Sequence, residues 1–378
     1  MSYAYSCKRR CFCPSCHQKR ALLFAERVEQ EVLGEVPIRQ HVVTIPKMLR
    51  LFFKYDRHLL GELSRSYYES IKGLFLDAAL QAECSPADSP ALPAMIASIQ
   101  SYGDDPTRFH PHLHCLVADG LVFPDGSFLP IPPPDPVQIM LLFRHKLLKT
   151  LLAKEKISQR LVDILLSWRH PGFSVFQGDS VSPDDHQARE RLSRYCVHPP
   201  IALDRLHYDR QTRRVSYEGK GRDRRPGPRS AVSTARTALD FLAPLCTHIP
   251  DAGRQIIRYY GQYSHVRRAR AHRARPVALQ RTPGTEPQDE SEHRIRRSWA
   301  RLLKKVYQAD PLICPRCSDR LKIISLIDEP SVVERILRHL KLWERPERAP
   351  PPKPTRTVHY EFDSVADQDT RPWLHPAE

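Results

Sequence analysis

The chain has 378 residues, enough for one large domain or two moderate ones with a sizeable core. Its 41% hydrophobic and 27% charged residues fit a globular protein and exclude a collagen-like chain, an acidic disordered chain and a small disulfide scaffold. Lys and Arg number 59 against 43 Asp and Glu, a net charge of +16. No run of apolar residues is long enough to span a bilayer, and the start, MSYAYSCKRRCFCPSC, lacks the apolar stretch of a secretion signal. A cytoplasmic, nucleoid-associated protein without a membrane partner is expected, with clustered cysteines that read as metal ligands rather than disulfides.

In chain order, residues 1–20 are basic and Cys-rich, and 21–36 read as a helix ended by Gly34 and Pro37. IRQHVVTIP (38–46) is β-rich, and 47–84 have helical spacing and divide into two helices. Residues 85–107 read as a loop with a short apolar stretch, and 109–123 as strand, Asp119-Gly120 turn, strand. The Pro-rich segment 131–136 leads into a helix, and a second helix covers roughly 157–168. RVSYEG looks like a β-edge, 230–249 like a helix capped by Ser230 or Ser233, and 251–275 like a helix with Gly261 inside it. The last parts are a polar linker (276–293), a compact helix–knuckle–strand–helix unit (294–343) and a Pro-rich tail expected to be disordered (344–378).

Three features carry chemistry. The first is His110-Pro111-His112-Leu113-His114. On a strand His112 and His114 share a face, with His110 at the same parity, so two imidazoles can chelate one divalent ion and leave positions for water and a phosphate oxygen. Buried structural histidines are the alternative for an isolated pair of this kind. The second is Arg258-Tyr259-Tyr260-Gly261-Gln262-Tyr263, which on a helix stacks Tyr259 over Tyr263 at i and i+4. Core packing would explain the rings, but not the positive charge around them. A tyrosine oxygen attacks a phosphodiester when cations stabilise the added charge.

The third feature is where the charge lies. Residues 201–275 hold 17 Lys and Arg against 6 Asp and Glu. Arg222, Arg224, Arg225, Arg254, Arg258, Arg267, Arg268 and Arg270 are the candidate DNA-binding side chains. Their planar guanidinium groups suit phosphate, and aromatic residues between them can stack on unpaired bases.

HPHLHCLVADG and RYYGQYS together resemble the HUH (His–hydrophobic–His) single-strand DNA endonucleases, and more closely the two-tyrosine rolling-circle transposases of the insertion-sequence-91 type. SCKRRCFCPSCHQKR resembles that family's N-terminal zinc-binding region, here apparently truncated. QHVVTIPKMLR, YCVHPPIALDRL and WARLLKKVYQADPLICPRC continue in the family's order. The resemblance implies an α+β fold: an HUH-endonuclease core, a central antiparallel sheet with packed helices, plus a small zinc-knuckle element and a helical C-terminal region. It divides the chain into a partial zinc-binding region (1–30), a nuclease domain (35–275), the linker, the knuckle unit and the tail.

It also implies His112 and His114 as ligands of Mg²⁺ or Mn²⁺, with His110 or Gln40 as the third ligand. Tyr259 and Tyr263 become alternating nucleophiles, with Tyr260 as a rival. Zn²⁺ is expected at Cys7, Cys11, Cys13 and Cys16 and at the Cys314-Pro315-Arg316-Cys317 knuckle. The implied activity is nicking and rejoining of single-stranded DNA at element ends and target through 5′-phosphotyrosine. A decayed zinc-containing DNA-binding protein, or a replication initiator or relaxase of the same chemistry, is the alternative. Cys84, Cys115, Cys196 and Cys246 read as small core residues.

Overall fold

A computed structural model describes residues 14–81, 91–169, 172–218, 236–251, 253–274 and parts of 304–343. The chain divides into two compact units, Tyr3–Leu321 and Lys322–Glu378 with Met1–Ser2. In the smaller unit the described element is helix α9 (Pro330–His339), which starts on a proline at its first turn, where the missing N–H costs nothing.

The larger unit is built on an antiparallel sheet of six strands among the described residues, β1 (Ile38–Thr44), β2 (Leu92–Gln100), β3 (His112–Val122), β4 (Phe128–Pro130), β5 (Ser174–Val181) and β9 (Ile257–Gly261). The spatial order is β5-β1-β3-β2-β9, with β4 paired to the far end of β3. Each face carries helices, which gives the α+β architecture expected.

On one face lie α2 (Lys47–Tyr55), α3 (Leu59–Gln81), α4 (Pro136–Ala153) and α5 (Gln159–Ser167). Leu59, Leu63, Tyr67, Ile71, Phe75 and Ala79 recur every four residues along α3 and form one buried stripe. Ile139, Phe143, Leu147 and Leu151 do the same on α4. Asp135 caps α4 by accepting from the Val137 N–H at 2.8 Å, and Pro136 occupies the first helical position. These stripes close on Leu113, Cys115 and Val117 of β3 and Met95, Ala97 and Ile99 of β2. Each large side chain so buried contributes about 1.5–3 kcal/mol.

The opposite face is covered by α1 (Pro14–Glu31) and α6 (His186–Cys196), through Val28, Val32, Leu33 and Cys196 against Ile38, Ala94, Ile96, Leu116 and Ala118. The Arg189 side chain of α6 is 2% exposed and donates to the Gly34 and Val36 carbonyls, closing the turn that follows α1. Beyond the sheet, β6 (Leu206–Asp209), β7 (Arg214–Tyr217) and β8 (Arg236–Thr237) form a three-stranded wing beside α7 (Ala238–Cys246). Helix α8 (His265–Ala274) follows β9.

Three local expectations are corrected. The apolar stretch in 85–107 is β2, an inner strand buried along most of its length. Asp119-Gly120 is not a turn: β3 runs through it, and the chain reverses at 124–127 instead. The reason is tertiary. Asp119 accepts from the Arg39 Nε at 2.7 Å and from the Ser180 hydroxyl, tying β3 to β1 and β5. At Gly120 a Cβ would stand 2.1 Å from the Leu129 carbonyl of β4. Finally, the helix expected over 230–249 begins later, at Ala238, with Thr237 as its cap. Ser230 and Ser233 lie outside the described residues, as do 276–293 and 344–378.

Candidate functional site

His112 and His114 sit on β3, whose both faces are covered. Cross-strand pairing puts Thr44 and Gln100 beside His112, and Val42 and Ser98 beside His114, all on the face covered by α1 and α6. Leu113 points into the opposite core. The His112 Nδ1 donates to the His110 carbonyl at 2.8 Å, and the Gln40 side-chain amide lies 3.3 Å from the His114 Nδ1. The two Nε2 atoms converge at 3.1 Å.

Burial, with neighbouring His198 adding to it, lowers His112 to about 4; burial, then His112 and His198, lowers His114 to about 2. Both rings are therefore neutral at pH 7: the His112 Nε2 lone pair faces the His114 Nε2, while the His114 Nδ1 accepts from the Gln40 amide. The 3.1 Å separation of the two Nε2 atoms is the spacing of two ligands on one cation, and His112 Nδ1 is oriented by a carbonyl as a ligand's would be; His114 would match it with the Gln40 amide turned to present its oxygen. Among the described residues no group of three His, Cys, Asp or Glu side chains is arranged to hold one. The pair would leave its remaining positions to oxygen ligands.

His110 lies outside the strand. Its backbone N–H donates to the Ser101 carbonyl at 2.7 Å, and its ring centroid is 5.1 Å from that of His112. Its Nε2 is buried without a hydrogen-bond partner, and burial lowers it to about 3. A fourth histidine completes the cluster. His198, just after α6, stands perpendicular to His114 with centroids 5.5 Å apart, and the Gln100 amide reaches its Nδ1 at 3.2 Å. No spacing in the sequence links residue 198 to 114; only the YCVHPP segment marks the place.

The tyrosine segment is a strand, not a helix, so the i, i+4 stacking of Tyr259 over Tyr263 does not occur. Ile257 to Gly261 pair with Ser98 to Ala94 of β2, and alternation sends consecutive side chains to opposite faces. Tyr259 pairs with Ile96 and shares the face of His112 and His114. Tyr260 is on the other face, stacked on Tyr68 at 4.9 Å with its hydroxyl 2.7 Å from the Ser64 Oγ. Tyr263 follows in the turn, is 4% exposed and donates its hydroxyl to the Leu33 carbonyl at 2.9 Å. Burial pushes its phenol up strongly.

Tyr259 is half-buried, and its ring lies against His265 (4.8 Å) and beneath the Arg268 guanidinium (5.3 Å). Burial raises its phenol, while Arg268 and Arg27 pull it back. The strand ends at Gly261, whose φ of +57° turns the chain; a Cβ added there would stand 1.7 Å from the Pro93 carbonyl, so only glycine fits.

Of the arginines expected to hold DNA, Arg268 also binds the Tyr263 carbonyl at 3.0 Å. Arg254 stands beside His58 and 3.9 Å from Asp251. Arg258 packs over Gly61 on the face of Tyr260, its Nε buried without a partner. Arg267 is half-buried and Arg270 exposed on α8. Arg222, Arg224 and Arg225 lie outside the described residues.

So do Cys7, Cys11, Cys13 and Cys84; Cys16 is on α1, its side chain not among those described. Around Cys314 and Cys317 the chain forms a tight knuckle: the Cys314 N–H donates to the Asp319 carbonyl (2.8 Å) and the Ser318 N–H to the Cys314 carbonyl (2.9 Å), with Ser318 at φ +60°. Cys115 and Cys196 are buried as expected, their thiols pushed up by burial, whereas Cys246 is exposed. No described helix is long and apolar enough to cross a membrane.

Residues 94–270, from β2 to α8, match the family described as "Putative transposase". No curated protein and no solved structure matches the chain. The matched span, just under half of the chain, takes in the histidine cluster and all three tyrosines, and it supports a transposase, a protein that acts on DNA.

Proposed function

We propose that this transposase nicks single-stranded DNA at the ends of its element, with Tyr259 as the nucleophile. The observation that carries the reading is the sheet register: Tyr259 alone of the three tyrosines lies on the histidine face and is not committed to packing against a hydrogen-bond partner. It stands two strands from β3 and one residue pair along it, roughly 10 Å across and 7 Å along. Ser98, the cross-strand neighbour of His114, lines the opening beside Tyr259, so a phosphodiester there would lie between the two.

His112 and His114 would hold Mg²⁺ or Mn²⁺, and when bound the cation supplies Lewis-acid polarisation of the scissile phosphate. The chain's own groups do the rest. Arg268 above the Tyr259 ring and Arg27 nearby favour the phenolate. The Tyr259 oxygen forms a bond to phosphorus, the bond from phosphorus to the 3′ oxygen breaks, and that oxygen leaves as a 3′-OH after taking a proton from water. The tyrosine proton leaves through the opening that Tyr259 lines. The 5′-phosphotyrosine conserves the energy of the broken bond, so a later 3′-OH can reseal the strand without ATP. The arginines of 254–270, with those of the 222–229 run, hold the strand's backbone in this reading.

A labelled single-stranded element end with Mg²⁺ tests it. The wild type should give an adduct that survives SDS, and Tyr259→Phe should lose it while Tyr260→Phe keeps it. An adduct that persists in Tyr259→Phe refutes the assignment. Independently, Mn²⁺ should raise the melting temperature of the wild type and leave that of His112→Ala/His114→Ala unmoved.

A further inference from the structure

Beside Tyr259 a cavity of about 410 Å³ opens between α1, the end of β2 and the segment leading into β9. Five arginines line it: Arg20 and Arg27 from α1, Arg57 from the turn before α3, and Arg254 and Arg258. Asp251 is the one carboxylate among the described lining residues. Arg57 is held by a carbonyl, that of Thr247, which leaves its charge unneutralised. Arg27 is answered at 3.1 Å by Glu31, but both side chains are more than half exposed, where such a pair is weak. Such an excess of guanidinium calls for an anion, and the planar fork suits phosphate oxygens.

Two further features narrow the ligand. The Gln100 side chain is 2% exposed and lines the cavity; its amide nitrogen is engaged by the Cys196 carbonyl and His198, yet its Oε1 is buried with no hydrogen-bond partner. Turned towards the cavity, that oxygen would accept from the amino or imino group of a base. Phe24 of α1 also lines the cavity and supplies an aromatic ring. The volume is at the small end for a ligand site, and suits one nucleotide rather than a duplex.

We propose that this cavity binds one nucleotide of a single strand, its phosphate on the arginines and its base against Phe24 and Gln100. Resting on the nicking reading, this nucleotide adjoins the phosphate that Tyr259 attacks, because Ser98 and Gln100, the cross-strand neighbours of His114 and His112, form the shared wall.

Calorimetric titration of the full chain with thymidine 3′,5′-bisphosphate, against inorganic phosphate, tests it. The bisphosphate should bind at least tenfold more tightly than phosphate. Arg254→Glu should weaken it at least tenfold, and so should Arg27→Gln, whose side chain is 62% exposed. A short oligothymidylate should compete. Equal affinity for phosphate and bisphosphate, or indifference to both substitutions, overturns the site. A bisphosphate that binds but is not displaced by the oligothymidylate assigns the cavity to free nucleotides and overturns the strand-binding proposal. The adduct assay reads the other claim separately: an adduct without nucleotide binding refutes the cavity alone, and nucleotide binding without an adduct refutes the nicking reading alone.

Discussion

Removing one hydroxyl oxygen from each of two tyrosines should separate chemistry from architecture. In Tyr263→Phe the ring keeps its packing among Val28, Leu33 and Ile96, so no cavity forms. What is lost is the hydrogen bond to the Leu33 carbonyl, on a residue with no exposure, and a buried acceptor left without its donor costs about 1–3 kcal/mol. In Tyr259→Phe the hydroxyl has no hydrogen-bond partner among the described residues, the ring still meets Arg268 and His265, and stability should stay within about 0.5 kcal/mol of wild type. Urea unfolding measures the first effect and the SDS-resistant DNA adduct the second. Tyr263→Phe should unfold at lower urea yet form the adduct under native conditions, and Tyr259→Phe should do the reverse. A Tyr263→Phe protein of wild-type stability that forms no adduct would refute this reasoning, because the hydroxyl would then be a reactant and not a strut.

Gly261→Ala should cost more than either. A non-glycine residue at φ +57° costs roughly 1–2 kcal/mol, and its Cβ meets backbone at Pro93 and the Tyr68 hydroxyl at 2.8 Å, so the end of β9 must shift; urea unfolding should show a loss of at least about 2 kcal/mol. Arg189→Met keeps the stem but strands the Gly34 and Val36 carbonyls, and should lower the urea midpoint at constant slope. Acid should weaken the fold through buried neutral histidines. Burial holds His41 at about 3, against 6.5 for an ordinary histidine, so below pH 6.5 the unfolded chain binds a proton that the native one does not. Its contribution is complete above 6.5 and falls by about 1.4 kcal/mol per pH unit towards the folded value. His41→Phe should flatten the slope of unfolding free energy against pH between 6 and 4.

Much of this fold is written in local pattern. The four-residue apolar repeat and a cap such as Asp135-Pro136 make α3 and α4 legible, and β-branched residues between Pro37 and Pro46 make β1 so. Elements decided by distant contacts are not. Ser174–Val181 contains Gly178 and Asp179 and an exposed Phe176, a weak strand pattern that becomes β5 only by pairing with β1. Asp119-Gly120 carries a turn signal that the Arg39 and Ser180 contacts override. At the site, the histidine parity is legible because His112 and His114 lie on one strand. His198 joins them from a segment whose sequence says nothing of where α6 will deliver it.

The tyrosine segment shows why period matters more than composition here. RYYGQYS suits a helix by its i, i+4 rings and a strand by its adjacent bulky residues, and the two readings select different nucleophiles. With a repeat of 3.6, Tyr259 and Tyr263 act as a pair; with a repeat of two, Tyr259 and Tyr260 are parted by the thickness of the sheet. A one-residue slip of β9 would exchange Tyr259 and Tyr260 between faces, so the proposed chemistry depends on whatever fixes that register. Three contacts do: Gly261 closed against Pro93, Tyr260 stacked on Tyr68, and the Tyr260 hydroxyl on Ser64. Tyr260, the rival nucleophile by sequence, is thus the anchor that holds Tyr259 on the face of His112 and His114. Ser64→Ala should weaken that anchor, lowering adduct yield without touching any group on the histidine face. Wild-type yield in Ser64→Ala, with the midpoint of unfolding also unchanged, would show that the register is held without it.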